Sequence, residues 1–199
     1  MPTIEQVSKR VFSDNNWLKK CAIGGVLSIV PIVNIVALGY LYQLFIQGRS
    51  GKGISLPEWD DLKTLFLDGL RFLVIGLIFA GLPIALLTLF AEFAFDGNFA
   101  RIPLVAMLFF AGPLMSAGLY LYSVKQDVAD SFNMDALGIM LRKAAVHYTA
   151  PTLAYLGVCL LVVSPLGLVL IPFPFFFGGV FYFYLMGCVY RDLELKARG

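Results

Sequence analysis

Apolar and polar positions alternate along this chain in long blocks. Residues 1–20 place Ile4, Val7, Val11, Phe12 and Leu18 near a 3.6-residue period, with Lys9, Arg10, Lys19 and Lys20 among them. This predicts an amphipathic helix whose apolar stripe lies in a bilayer interface or on the protein's own cytoplasmic face. An apolar run, 21–47, follows and contains Gly24, Gly25, Pro31 and Asn34. As one helix it would measure about 40 Å, more than the roughly 30 Å hydrocarbon core, yet two crossings would need about 40 residues. The run is therefore expected either to re-enter, bending near Pro31, or to cross as one kinked helix.

A polar stretch then leads to an amphipathic helix, expected over 56–70. Ser55, Pro57 and Glu58 fit a capping box, and Leu62, Leu65, Phe66 and Leu70 form the apolar stripe. The uncharged run 72–91, with Pro83, predicts a transmembrane helix, and 102–122, with Gly112-Pro113, predicts another. Between them lie Glu92, Asp96 and Arg101, which read as a local salt-bridge group or an external cation site. Residues 128–146 predict a second amphipathic helix. The uncharged stretch Tyr148 to Tyr190 has the length for two spans, 148–170 and 173–190, turning at Pro172 and Pro174. The fold class expected is an all-α integral membrane protein in a single domain. It has about four to five transmembrane helices, a re-entrant or kinked N-terminal run and cytoplasmic amphipathic helices.

Composition agrees with the pattern. In 199 residues, 59% are hydrophobic and 14% charged, against roughly 45–50% and about 25% in soluble domains. Mean hydropathy is +0.83. The net charge of +2 supplies no strong field for nucleic acid. Cys21, Cys159 and Cys188 are far apart, with no metal-binding or redox spacing, and read as small buried hydrophobes that form no disulfide. The first twenty residues lack the apolar core of a signal peptide.

Lys and Arg concentrate in the two long polar stretches (Arg49, Lys52, Lys63, Arg71; Lys125, Arg142, Lys143) and in the tail (Arg191, Lys196, Arg198). Only Arg101 lies between 91 and 102. The positive-inside rule places both stretches and the C-terminus in the cytoplasm. The four cations of the N-terminal arm stay on that side if the first run re-enters. A weak echo runs through the chain: Gly39-Tyr40-Leu41-Tyr42, Gly118 to Tyr122 and Gly187 to Tyr190 each close an apolar run. It reads as a duplication or as the usual enrichment of Tyr at membrane interfaces.

Trp17-Leu18-Lys19-Lys20, Ile23-Gly24-Gly25, Ile29-Val30-Pro31, Gly39-Tyr40, Leu56-Pro57-Glu58-Trp59-Asp60-Asp61 and Phe66-Leu67-Asp68-Gly69-Leu70 follow in that order. Ala129-Asp130-Ser131-Phe132 and Leu166-Gly167-Leu168 come later. The chain resembles, over most of its length, an uncharacterised multi-pass prokaryotic membrane family, domain of unknown function 4013. The resemblance implies a fold and a compartment, the prokaryotic cytoplasmic membrane, and transfers no catalytic residue.

Candidate chemistry is sparse. Trp59, Asp60 and Asp61, with Trp17, form a candidate cytoplasmic interface; the acids suit a helix's first turn or a cation or proton site, and Trp59 a headgroup anchor. His147 reads as an interfacial histidine or a proton shuttle. Pro31 and Asn34 are the candidate structural or pathway residues: Asn34 either caps the second half of a broken helix or lines a solute path. No catalytic, cofactor-binding or metal-binding residue is assigned, and no cofactor is expected. The function expected is a non-catalytic membrane scaffold or accessory subunit. Its partners are the lipid bilayer and other membrane subunits or further copies of itself, not nucleic acid. The alternative is a channel or transporter for a small or lipophilic solute.

Overall fold

The structure, a computed structural model, describes residues 2–94, 101–127, 133–160 and 172–198. These residues form helices joined by turns and extended segments, and contain no strand. The helices are α1 (Ile4–Phe12), α2 (Trp17–Ile29), α3 (Asn34–Ser50), α4 (Leu62–Gly76), α5 (Leu82–Ala94), α6 (Arg101–Lys125), α7 (Met134–Leu160) and α8 (Pro172–Arg198). The chain forms two compact units: residues 1–72 with 144–199, and residues 73–143.

The N-terminal arm is not one helix. Thr3 and Gln6 form a capping box at the start of α1. The polar run Ser13-Asp14-Asn15-Asn16 then ends it, because its side chains bond locally to the backbone. Ser13 Oγ donates to the Arg10 carbonyl at 2.7 Å, and Asp14 Oδ1 accepts from the Asn16 N–H at 2.8 Å.

The run 21–47 breaks between Ile29 and Asn34. Pro31 lacks an N–H, and Ile32 takes a left-handed conformation, φ 70°. Helices α2 and α3 then pack back on each other as a hairpin. Trp59 touches both, donating from Nε1 to the Lys20 carbonyl at 3.3 Å while stacking on Tyr40 at 4.4 Å. Helix α3 ends at Gly51, whose φ of 77° suits glycine.

Two close crossings organise the first unit around α3. A Cβ added to Gly39 would lie 1.8 Å from the Leu65 carbonyl oxygen, and one added to Gly69 would lie 1.8 Å from that of Ile35. On α8, a Cβ at Gly187 would lie 2.2 Å from the Phe45 carbonyl oxygen, and one at Gly48 would lie 2.2 Å from that of Tyr184. Reciprocal backbone contact of this kind tolerates no side chain. Leu44, Phe45, Tyr40, Val180, Met186 and Tyr190 fill the space between and are fully buried.

The amphipathic helix expected from residue 56 begins later, at Leu62, with 52–61 extended or turned. Asp61 supplies the cap, its Oδ1 accepting the Thr64 N–H at 3.0 Å. Ser55 and Glu58 do not form their capping box, because Lys20 holds Glu58 instead. Helix α4 continues through a π-helical turn, Leu77–Gly81, into α5. That turn precedes Pro83, which has no N–H for a regular i→i−4 bond, and the Leu82 N–H reaches back to the Leu77 carbonyl.

The second unit packs Phe79 of the π turn onto Gly118 of α6, and Met115 onto Gly76. Helix α6 ends at Gln126, φ 59°, whose N–H bonds the Tyr122 carbonyl at 2.7 Å. Helix α7 is capped by Asn133 and runs unbroken from Met134 to Leu160, so the expected boundary between 128–146 and 148–170 is absent over the described residues. The start of that amphipathic segment, 128–132, and the end of the span, 161–170, lie outside the described residues. Pro172 and Pro174 sit in the first turn of α8 rather than in a loop.

Among the described residues, two helical stretches are long and apolar enough to cross a membrane, Leu62–Phe93 and Phe173–Lys196. The expected span 102–122 contributes a shorter apolar helix, Phe109–Val124, among the described residues.

The crossings predict that Gly39→Ala destabilises the protein by about 1–3 kcal/mol through overpacking. At Gly138, where a Cβ meets nothing within 4 Å, alanine should stabilise by about 0.5–1 kcal/mol. Thermal unfolding of the two variants in one detergent checks both signs.

Candidate functional site

Lys20 is the last polar side chain before the apolar part of α2, and only 6% of it is exposed. A buried ammonium requires partners for its three donors. It finds them in Asp14 Oδ2 at 2.9 Å, the Leu56 carbonyl at 3.0 Å and Glu58 Oε1 at 2.5 Å. One cation thus ties the turn before α2 to the Leu56–Asp61 segment. Trp59 closes the junction from the other side. Besides its bond to the Lys20 carbonyl, it stacks on Tyr40 and lies 6.1 Å from Phe176 of α8.

The electrostatics follow from this arrangement. Burial acts most strongly on Lys20 and alone would lower its pKa. The hydrogen bonds with Glu58 and Asp14 together outweigh it, so the ammonium titrates above the ordinary lysine range. Asp14 is held below the usual carboxylate range by its hydrogen bond from Lys20 and then by the Asn16 N–H. The exposed Asp61 is lowered by its bonds from Thr64.

The residues expected at a cytoplasmic interface take different roles. Trp17 packs edge-on against Phe12 at 4.9 Å and lies 5.9 Å from Phe177. Trp59 is half-buried within the fold, Asp61 is a helix cap and Asp60 is exposed. They do not form one paired-acid site. Lys20, the centre of the junction, was not singled out by the sequence, because Lys19-Lys20 before an apolar run reads as two equivalent flanking cations.

A second polar contact joins α3 and α4 beside the Gly39–Gly69 crossing. Buried Asp68 accepts from Arg71 Nη1 at 2.7 Å and from Gln43 Nε2 at 3.2 Å. The Gln43 partner, 25 residues away, leaves no local signal in the sequence.

Pro31 lies exposed at the hairpin tip. Asn34 does not cap α3: the N-cap position is Val33, and no side-chain capping bond forms. Asn34 instead lines a pocket of about 380 Å³ with Ser28, Ile29, Ala37, Leu38, Leu41, Phe175 and Phe176. Its walls are mainly apolar. Cys21 and Cys188 are buried free thiols. His147 is half-buried on α7.

A helical protein with, among the described residues, two stretches apolar enough to span a bilayer is the class these observations define. Within it, the chain matches over residues 23–191 the family described as Protein of unknown function (DUF4013), and it belongs to that family. No curated protein and no solved structure matches it.

Replacing Lys20 by Met leaves Asp14 and Glu58 without their cation. Glu58 remains well hydrated, so the cost falls between those of surface and buried pairs, about 2 kcal/mol. The pH dependence has a definite sign. Asp14's contribution is present above its ordinary range and lost as pH falls through its lowered value. That of Lys20 is present below about pH 10.4 and lost as pH rises through its raised value. The difference in melting temperature between wild type and Lys20→Met should therefore stay constant from about pH 5 to about pH 9 and shrink below about pH 4.

Proposed function

We propose that the protein is a non-catalytic scaffold or accessory subunit of a prokaryotic cytoplasmic membrane, with its C-terminus in the cytoplasm. The observation that supports this reading is the Leu62–Phe93 stretch, of whose most apolar window only 17% is buried. Leu77, Leu82, Leu86, Leu89, Phe90 and Phe93 are all more than half exposed. That much contiguous apolar surface requires lipid or another membrane subunit. The polar segments give such a subunit surfaces outside the bilayer, and the cation distribution supports their cytoplasmic side.

The pocket beside Asn34 favours a second reading, a carrier or channel for a small lipophilic solute. Its apolar walls and single amide suit an uncharged molecule with one hydrogen-bonding group.

Crosslinking in native membranes, followed by capture through a C-terminal tag and mass spectrometry, separates the two. The scaffold reading expects a fixed partner or a homo-oligomer at constant stoichiometry. A monomer without crosslinked neighbours, with solute flux in reconstituted vesicles, would replace it with the second reading.

A further inference from the structure

We propose that the tip of the α2–α3 hairpin inserts into one leaflet of the bilayer without crossing, and that α8 is an enclosed core helix rather than a transmembrane span. The proposal deepens the membrane placement under the proposed function by naming a lipid-binding surface and its depth.

The first observation is where apolar side chains remain uncovered in this unit. Val26, Ile29, Val30, Ile32, Val33 and Phe175 are large, exposed and gathered at the hairpin's closed end. The second is the residue at the bend. Ile32 is β-branched, stands at φ 70° and is 74% exposed. A left-handed position normally takes Gly or Asn, because β-branched side chains are strained there in any surroundings. An isoleucine with so few neighbours is accounted for if its surroundings are hydrocarbon.

The third observation sets the depth. The Lys20 cluster stands at the open end of the hairpin, with Glu58's side chain 63% exposed and Lys19 and Asp60 also exposed. Trp17 and Trp59 lie at the same end, as aromatic rings do at headgroup level. Between this collar and the tip α2 runs from Cys21 to Ile29, about 13 Å at helical rise. Half of a hydrocarbon core is about 15 Å. The occupant that fits is the acyl region of a single leaflet, with its headgroups at the level of the polar collar.

The same geometry reassigns α8. Helix α1 lies alongside it: Ile4 and Phe12 share a groove with Phe177, Phe181 and Leu185, and Lys9 and Arg10 share a pocket with Tyr184. Glu5, Lys9 and Arg10 are exposed at those levels. A crossing by α8 would carry these charges into hydrocarbon, where they are strongly disfavoured. The most apolar window of α8 is 72% buried within the protein, as befits a core helix.

The test is site-directed spin labelling of the full chain in phosphatidylcholine–phosphatidylglycerol vesicles. Ile32→Cys, Phe175→Cys, Glu58→Cys and Arg10→Cys all lie at exposed positions, and wild-type protein carried through labelling reports any signal from the native cysteines. Labels at 32 and 175 should collide with dissolved oxygen several-fold more than with a water-soluble nickel chelate, at a depth under about 15 Å. Labels at 58 and 10 should favour the chelate. Chelate-accessible labels at 32 would overturn insertion, whether by full crossing or by no contact with the bilayer. Low collision with both reagents at 32 would mean that protein, a partner or a second copy, covers the tip, and would also overturn it. A lipid-like label at 10 would restore α8 as a span. None of these failures touches the scaffold reading, which stands or falls on copurification.

Discussion

A single buried ammonium carries the organisation of the first unit. Burying Lys20 is unfavourable by itself, and the structure compensates with two carboxylates and a backbone carbonyl drawn from both sides of the hairpin run in sequence. Satisfying that charge fixes the turn at Asp14, holds the Leu56–Asp61 segment against α2 and brings Trp59 onto Tyr40. The start of α4 at Leu62 follows from the same constraint, because Glu58 is committed to Lys20 and Asp61 becomes the cap. The unit thus has a polar, hydrated open end and an apolar closed end.

Around this junction the glycines determine how closely the helices approach. Gly39, Gly118 and Gly187 each begin one of the echoed segments, and each sits where a Cβ would collide with another helix. The tyrosines that follow, Tyr40, Tyr120 and Tyr190, are buried rather than placed at a lipid interface. The echo therefore marks helix crossings inside the protein. A glycine admits the neighbouring backbone or ring, and a large aromatic one to three positions on fills the adjacent space.

Local chemistry made part of this legible in the sequence. Pro31 announces the break of the first run because it removes a donor, and Gly51 marks a helix end because it accepts a left-handed backbone. The helical class and the apolar character of Leu62–Phe93 follow from hydrophobic runs too long for an ordinary core. What escaped depended on partners distant in sequence. Nothing near Lys20 distinguishes it from Lys19, and the Ser55–Glu58 pattern is a sound capping box until Lys20 takes the glutamate. Asp68 meets Gln43 across two helices. Asn34 suggested a cap because an amide after Pro31 has that chemistry, but Val33 occupies the cap position and leaves Asn34 beside a pocket. Hydropathy also cannot separate a helix wrapped by protein from one wrapped by lipid: α8 is apolar enough to span, and 72% of its most apolar window is buried within the protein.

On this geometry Lys20 holds the arm, the Leu56–Asp61 segment and the hairpin as one cooperative body. Hydrogen–deuterium exchange of wild type and Lys20→Met in lipid nanodiscs tests it most directly. Amides of α1, the Asp14 turn, residues 56–61 and the first turns of α2 should lose protection together in the variant, while α6 exchanges unchanged. Loss of protection confined to the residues adjoining position 20 would contradict it.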